Sequence, residues 1–389
     1  VSTAENINTA LNALAERADR RFHGLVHALF LLGFLTELVI VIIDKSALVN
    51  PYEGRLFQLT FLCFFAALLT ERFTLRERGY LAFFLALSLI SYLVTGRNEL
   101  LRCTVFAASM VRMDVRKLMK LFLAVETAGC LLLNVLSLAG VLGTVFLTTD
   151  YGGGVETRLC LGLGHPNSLH CMAAVLVLLF LCLYHDRLHA WQFAVLFAAN
   201  LVLLYFTRSQ MGALAMAGGI VLQFLVDRIQ SDRTKNALCI CMEVLFAAGL
   251  FFSLLAATFN PASTPWMQKI DHLMTGRVGS LWDTTFHEGT LASWRWFSDR
   301  NSDRFFDLGW VRLVYWYGVI PAAVVIFYLL RWLRFLRRKK EMAAFVMLSV
   351  LAVYTVFEAH LVSEYLGRNT LLLLAAACVP AAAGESMKI

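Results

Sequence analysis

Three stretches of this chain gather arginine, histidine and carboxylate side chains among glycines and aromatics, the mixture that oxyanion binding and proton transfer require. The first is 143–166, GTVFLTTDYGGGVETRLCLGLGHP, with Arg158 in its second half and His165 near its end. Pro166 suits the first turn of a helix, where its missing N–H is no loss. That puts His165 at or beside the N-cap, with Gly162 and Gly164 letting the loop pack closely. A helix start offers unbonded N–H groups and a partial positive charge, which favour an anion. Arg158 adds a fixed cation, so one reading of this corner is a phosphate site with an imidazole in reach. The plain alternative is an ordinary helix start with Arg158 at the lipid headgroup level.

The second stretch is Thr207-Arg208-Ser209-Gln210. Thr207 or Ser209 can cap the helix that follows, and Arg208 is either a charge for a ligand or a snorkelling interfacial side chain. The third is the long segment 258–307, which holds Arg277, Trp282, His287, Glu288, Arg304 and Asp307 among other polar and aromatic residues. Thr275-Gly276-Arg277 has the composition of a turn, and Asp307 is placed to cap the next helix. The tryptophans of this segment are interface anchors or stacking platforms for sugar rings. A smaller group, Glu358, His360, Glu364 and Arg368, lies between two later apolar runs. No HExxH or Asp-x-Asp signature occurs in these segments, so neither a metal nor another cofactor is expected.

The elements that must position these groups are apolar helices. Of 389 residues 59% are hydrophobic and 16% charged, against about 25% charged in a soluble domain, and mean hydropathy is +0.68. The apolar residues fall in blocks at 25–43, 56–70, 79–95, 98–111, 118–142, 167–184, 188–206, 210–227, 236–257, 308–331, 343–360 and 366–383. Most are long enough to cross a hydrocarbon layer about 30 Å thick; the fourth is short and carries Arg102. The expectation is an all-α integral membrane protein of about twelve spans, one polytopic domain over 1–389, with a large loop at 258–307 between spans nine and ten. Residues 1–24 read as a cytoplasmic amphipathic segment (Leu11, Leu14, Ala18, Phe22) without the h-region of a signal peptide.

Lysine and arginine placement orients the chain. Arg72, Arg76 and Arg78, then Arg112, Arg116, Lys117 and Lys120, then Arg228, Arg233 and Lys235, and the run from Arg331 to Lys340 all fall on the side shared with an N-terminus inside the cell. Both termini are then cytoplasmic and the polar segments face out. The net charge of +7 is this bias in short clusters and excludes a nucleic-acid partner. Ionisable residues in mid-span are few (Glu37, Glu126, Glu243), whereas transporters tend to carry them near the midplane. Most of the nine cysteines lie within spans, and no disulfide framework is expected.

Taken in order, Gly162-Leu163-Gly164-His165-Pro166-Asn167, Thr207-Arg208-Ser209-Gln210-Met211-Gly212-Ala213, Leu273-Met274-Thr275-Gly276-Arg277 with Trp282, and Asp307-Leu308-Gly309-Trp310-Val311 followed by Gly318 resemble the O-antigen ligase and Wzy-type polysaccharide polymerase family, in particular its polymerase-like members from bacteria. The resemblance covers most of the chain. One departure is that the family often has Thr-x-Ser-Arg where this chain has Thr207-Arg208-Ser209-Gln210. On a helix that displacement turns the charge about 200° around the axis; in an irregular turn Arg208 still reaches the same pocket.

The resemblance implies a GT-C-like membrane glycosyltransferase in the bacterial cytoplasmic membrane. It transfers an oligosaccharide from an undecaprenyl-diphosphate-linked donor to the hydroxyl of a glycan acceptor on the extracytoplasmic side, without a metal. Partners are then the lipid-linked donor, the acceptor, the bilayer and other polysaccharide-assembly proteins such as a chain-length regulator. Arg158, Arg208 and Arg277 suit the diphosphate, with Gln210, Asp307 and Trp282 as further donor or glycan contacts. His165 and His287 are rival bases for the acceptor hydroxyl, with Glu358 behind them. Ligation of finished glycan to a different acceptor is the alternative within the family, and a polytopic lipid or solute transporter the alternative outside it.

Overall fold

The computed structural model describes residues 24–150, 154–283, 287–363 and 365–382. All but the last residue of the amphipathic segment 1–24 lies outside the described residues, as does Glu364.

Fourteen α-helices make up most of the described chain. They are α1 (Gly24–Asp44), α2 (Glu53–Thr70), α3 (Leu75–Thr95), α4 (Glu99–Ser109), α5 (Val115–Leu138), α6 (Pro166–Tyr184), α7 (Ala190–Thr207), α8 (Gln210–Arg228), α9 (Asp232–Thr258), α10 (Pro265–Leu273), α11 (Gly309–Tyr317), α12 (Val319–Lys339), α13 (Met342–Tyr354) and α14 (Tyr365–Ala382). Among the described residues nine of them, α1 to α3, α5 to α9 and α12, are long and apolar enough to cross a membrane. Their starts are written locally. Thr74 and Glu77 make a reciprocal capping box on α3, while Asp114 and Ser231 accept from the third residue of α5 and α9.

The helices divide by what surrounds them. α13 is buried along almost its whole length and α14 nearly so. At 13 residues α13 reaches about 20 Å, short of a bilayer core, yet its position inside the bundle leaves it no lipid to match. Outer helices present large apolar side chains away from the protein, among them Leu62, Leu93, Tyr205 and Phe251, each more than half exposed. Such a surface is costly in water and ordinary against lipid. Close helix approach uses small residues: a Cβ on Gly129 of α5 would lie 2.3 Å from Ile42 of α1, and one on Gly219 of α8 would lie 2.1 Å from Leu178 of α6.

Two elements depart from the sequence expectation. The tenth apolar block, 308–331, is two helices broken at Gly318 (φ 97°). A side chain there would meet Phe297 Cα and Trp296 O at 2.5 Å, because the long loop runs directly against the break. The N–H groups freed by the break are taken up by that loop: Val319 N–H donates to Arg295 O (2.8 Å) and Ile320 N–H to Trp296 O (3.1 Å). The second departure is an antiparallel hairpin in 143–166, β1 (Phe146–Asp150) and β2 (Val155–Leu159), with Thr148 opposite Thr157 and their hydroxyls 2.9 Å apart. The β-branched Thr148, Thr149, Val155 and Thr157 favour strands here, in an otherwise helical chain.

Candidate functional site

The turn before Arg277 is built from within. α10 ends at Leu273, and Thr275 (φ 56°) and Gly276 (φ 81°) swing the chain through the left-handed region. Asp271 holds the turn by accepting from Val278 N (2.7 Å) and Gly279 N (2.9 Å). This delivers Arg277 against the end of α13, where its Nη1 donates to Phe357 O (2.6 Å) and its Nη2 to Glu358 Oε1 (2.5 Å). Its Nε lies 3.5 Å from Asp307 Oδ2. Arg277 is therefore a half-closed fork, its side chain only 12% exposed, while Asp307 remains 42% exposed.

Asp307 does not cap α11, as its place in the sequence suggested. Leu308 is the residue at the cap, and the Gly309 N–H is taken by Thr355 O of the α13 end (3.0 Å). A side chain at 309 would strike Thr355 O and Ala359 Cα, so the glycine lets the two segments touch. Relieved of capping, the Asp307 carboxylate turns to Arg277.

His165 is the N-cap of α6, and its Nδ1 accepts the Asn167 N–H (3.1 Å). A ring nitrogen that accepts carries no proton, so neutral His165 keeps its hydrogen on Nε2. Burial holds its pKa below the ordinary histidine value, Arg158 pushes the same way and Asp307 opposes. The last two influences put His165 in the field of both residues. Arg158, on β2, binds Glu156 through Nε and Nη2 (both 2.8 Å), and Arg208 reaches the other oxygen of Glu156 (3.1 Å). The bond from Arg158, supported by the charge of Arg208, holds the Glu156 carboxyl below the usual carboxylate range. Arg208 sits in an irregular turn (φ 53°) and not on a helix, so the displaced arginine still reaches this corner.

An arc thus runs from Arg208 through Glu156 and Arg158 to His165, then through Asp307 and Arg277 to Glu358. The remaining candidates lie off it. Gln210 is exposed on the first turn of α8. Trp282 donates its indole N–H to Ala256 O at the end of α9 (3.1 Å), which pins the loop. His287 is exposed, with its ring centroid 5.5 Å from that of Trp282 and its Nδ1 3.3 Å from Trp282 O. A carbonyl can only accept, so His287 carries a proton on Nδ1, the nitrogen that accepts in His165. His360 is buried beside Tyr354, with Gly367 packed on its ring.

Sequence reasoning missed Glu156, which sits two residues from Arg158 and so faces the same side of a strand. It also missed the support beneath Arg208. His170 of α6 is fully buried, its Nδ1 2.9 Å from Thr207 Oγ1 and its Nε2 2.9 Å from Asn200 Oδ1, while Asn200 Nδ2 donates to Ala213 O (3.0 Å). Ser209 N–H donates to Thr207 Oγ1 (3.3 Å). This network ties α6, α7 and α8 together and fixes the turn that carries Arg208. No group of three or more His, Cys, Asp or Glu arranged for a metal occurs among the described residues. No protein-family model matches the chain, and neither the curated proteins nor the solved structures compared with it provide a match.

Proposed function

We propose that this chain is a bacterial membrane glycosyltransferase of the O-antigen ligase and Wzy type, polymerising undecaprenyl-diphosphate-linked oligosaccharide repeat units. The observation that carries the reading is the arc itself: three arginines, three carboxylates and a helix-start histidine converge from five separate segments. In this reading the chain spans the membrane twelve times, with α4, α13 and α14 completing the nine long helices and α11 extending the α12 span across the break, both termini inside and the arc outside.

The chemistry follows from the partners. The acceptor hydroxyl oxygen bonds to the anomeric carbon of the donor as the bond from that carbon to the diphosphate oxygen breaks, and the diphosphate leaves with the electron pair. Arg277, Arg158 and Arg208 stabilise the charge that develops there. His165, protonated on Nε2, donates to a phosphate oxygen and is not the base. The hydroxyl proton goes to Asp307, the more exposed of the two carboxylates on Arg277, while Glu358 keeps the guanidinium aimed.

The test is the surface glycan of cells carrying Arg277→Ala, Arg158→Ala or Asp307→Asn, with membrane levels of each variant checked in parallel. Inserted variants that accumulate single lipid-linked repeats support polymerisation. Full-length polymer left on the lipid carrier supports ligation to a separate acceptor instead. An unchanged profile in all three refutes glycan transfer.

A further inference from the structure

The last turns of α12 sort their basic residues by face. Arg337 Nε donates to Glu243 Oε1 (2.8 Å) and its Nη1 to Asn236 Oδ1 (2.7 Å), while Lys340 Nζ donates to Asp232 Oδ2 (2.6 Å). All three acceptors belong to α9. Arg331, Arg334 and Arg338 are exposed, and none of them has a hydrogen bond or ion pair among the described residues. On a helix of 3.6 residues per turn these three fall within about 60° of arc. The protein thus supplies a carboxylate to the cations turned toward α9 and none to the three turned outward.

The outward stripe continues along the same line with a different chemistry. Ile320, Ala323 and Phe327 precede the arginines at helical spacing and are exposed, Phe327 by 57%. Beside them Tyr328 of α12 packs on Phe84 (ring centroids 4.8 Å apart) and Tyr80 (6.3 Å) of α3, so rings floor the seam between the two helices. From Ile320 to Arg331 the helix rises about 16 Å, close to half of a hydrocarbon core about 30 Å thick. One face therefore passes from an apolar run the depth of a single leaflet to a row of guanidinium groups spread over about 10 Å.

Orienting a chain across a membrane requires only a number of basic residues near the end of a span. It does not require three of them to be aligned, unpaired and directly below an exposed apolar run. An anionic phospholipid matches each part, with an acyl chain along Ile320, Ala323 and Phe327 and its phosphodiester among the arginines, whose planar forks suit phosphate oxygens. A soluble acidic partner would meet the arginines and leave the apolar run without a counterpart. We propose that this face of α12, beside α3, binds a phospholipid whose headgroup carries net negative charge. The carboxylates of α9 are already engaged by Arg337 and Lys340, so the lipid phosphate is the counter-charge of the stripe. The site lies toward the opposite end of α12 from the long loop and does not rest on the glycan-transfer reading.

The experiment uses the full chain purified in detergent, incubated with an equal mixture of phosphatidylglycerol and phosphatidylcholine and repurified, with the retained lipids counted per chain by mass spectrometry. Wild type should retain phosphatidylglycerol in at least tenfold excess. The combined Arg331→Gln, Arg334→Gln and Arg338→Gln variant should retain the two lipids equally, and Arg334→Gln alone should lower the excess about threefold. These arginines have no protein partner to lose, so the melting temperature of each variant in phosphatidylcholine alone should equal that of wild type and show that it is folded. A control that removes the same charge from exposed arginines elsewhere, Arg72→Gln with Arg187→Gln and Arg233→Gln, should keep the excess within twofold of wild type. Equal retention of both lipids by wild type would overturn the site and leave the stripe to an acidic protein or a second copy of the chain. An excess that survives in the combined α12 variant, or is lost equally in the control, would also overturn it, the latter by reducing the effect to net charge.

Discussion

Arg277 and Arg368 are nearly equally buried beneath the same end of the bundle, and they are satisfied in opposite ways. Arg277 has a carbonyl and two carboxylates on its edge; Arg368 has an aromatic ring on its face and an unmet Nε. The first is fixed in place before any ligand arrives, which is what charge stabilisation in a reaction requires, since no reorganisation then accompanies the chemical step. The second is oriented by a ring and leaves one edge N–H without a partner. Burial alone, then, does not tell these two arginines apart; the count of partners on the guanidinium edge does.

The strongest way to break this comparison is Arg277→Lys. An ammonium keeps the charge but cannot address Phe357 O, Glu358 and Asp307 with one rigid fork. Transfer should fall about 100-fold, the cost of one preorganised donor, measured as product formed from a lipid-diphosphate glycan by purified protein. Activity within twofold of wild type would reduce Arg277 to a point charge and dissolve its distinction from Arg368.

The support beneath Arg208 gives the next effect. Thr207→Val keeps the volume but strips His170 of one partner and Ser209 N–H of another, at a cost of about 1–3 kcal/mol. Thermal unfolding in detergent reads this, and a melting temperature equal to wild type would mean that the network is not structural.

His165 sharpens the comparison through pH. Its pKa in the folded protein is below the ordinary 6.5, so its stabilising cap is fully present above 6.5 and lost as pH falls through the folded value. The sign follows from Nδ1, which must accept from Asn167 and cannot while protonated. The protection of the Asn167 N–H against hydrogen exchange, taken relative to the base-catalysed rate of a free amide at each pH, should fall only on the acid side; a fall on the alkaline side would reverse the tautomer assigned here.

Smallest is Glu156→Gln. The pair it makes with Arg158 and Arg208 is solvent-accessible, so the melting temperature should not change, whereas transfer should shift a few-fold as both arginines lose a common anchor. A large loss of stability would show that the hairpin depends on this bridge.

How much of this could be read from the chain depends on the range over which each signal acts. The helices were legible because a membrane span is a local property of about 20 residues, and the Arg277 turn because Thr-Gly in left-handed geometry is local too. The break at Gly318 was hidden: apolar residues continue through it, and the cause is a loop segment some twenty residues upstream in sequence and adjacent only in space. The hairpin at 146–159 was masked by its glycine-rich connection. Arg277 and Asp307 could be nominated by type, but their meeting depends on Thr355 O capturing the Gly309 N–H, a contact across two segments. His170 was invisible for the opposite reason, since one histidine in an apolar span looks like an isolated polar residue until Asn200 and Thr207 are seen around it.

The seam at Gly318 has one more implication. Arg295 and Trp296 hold the broken span with carbonyl oxygens, which every amino acid possesses, while the Trp296 side chain is 73% exposed. Anchorage and display are thus handled by different atoms of the same residues. The rim of the long loop can be rewritten at 295 and 296 to suit another ligand without unfastening it, provided that position 318 stays glycine.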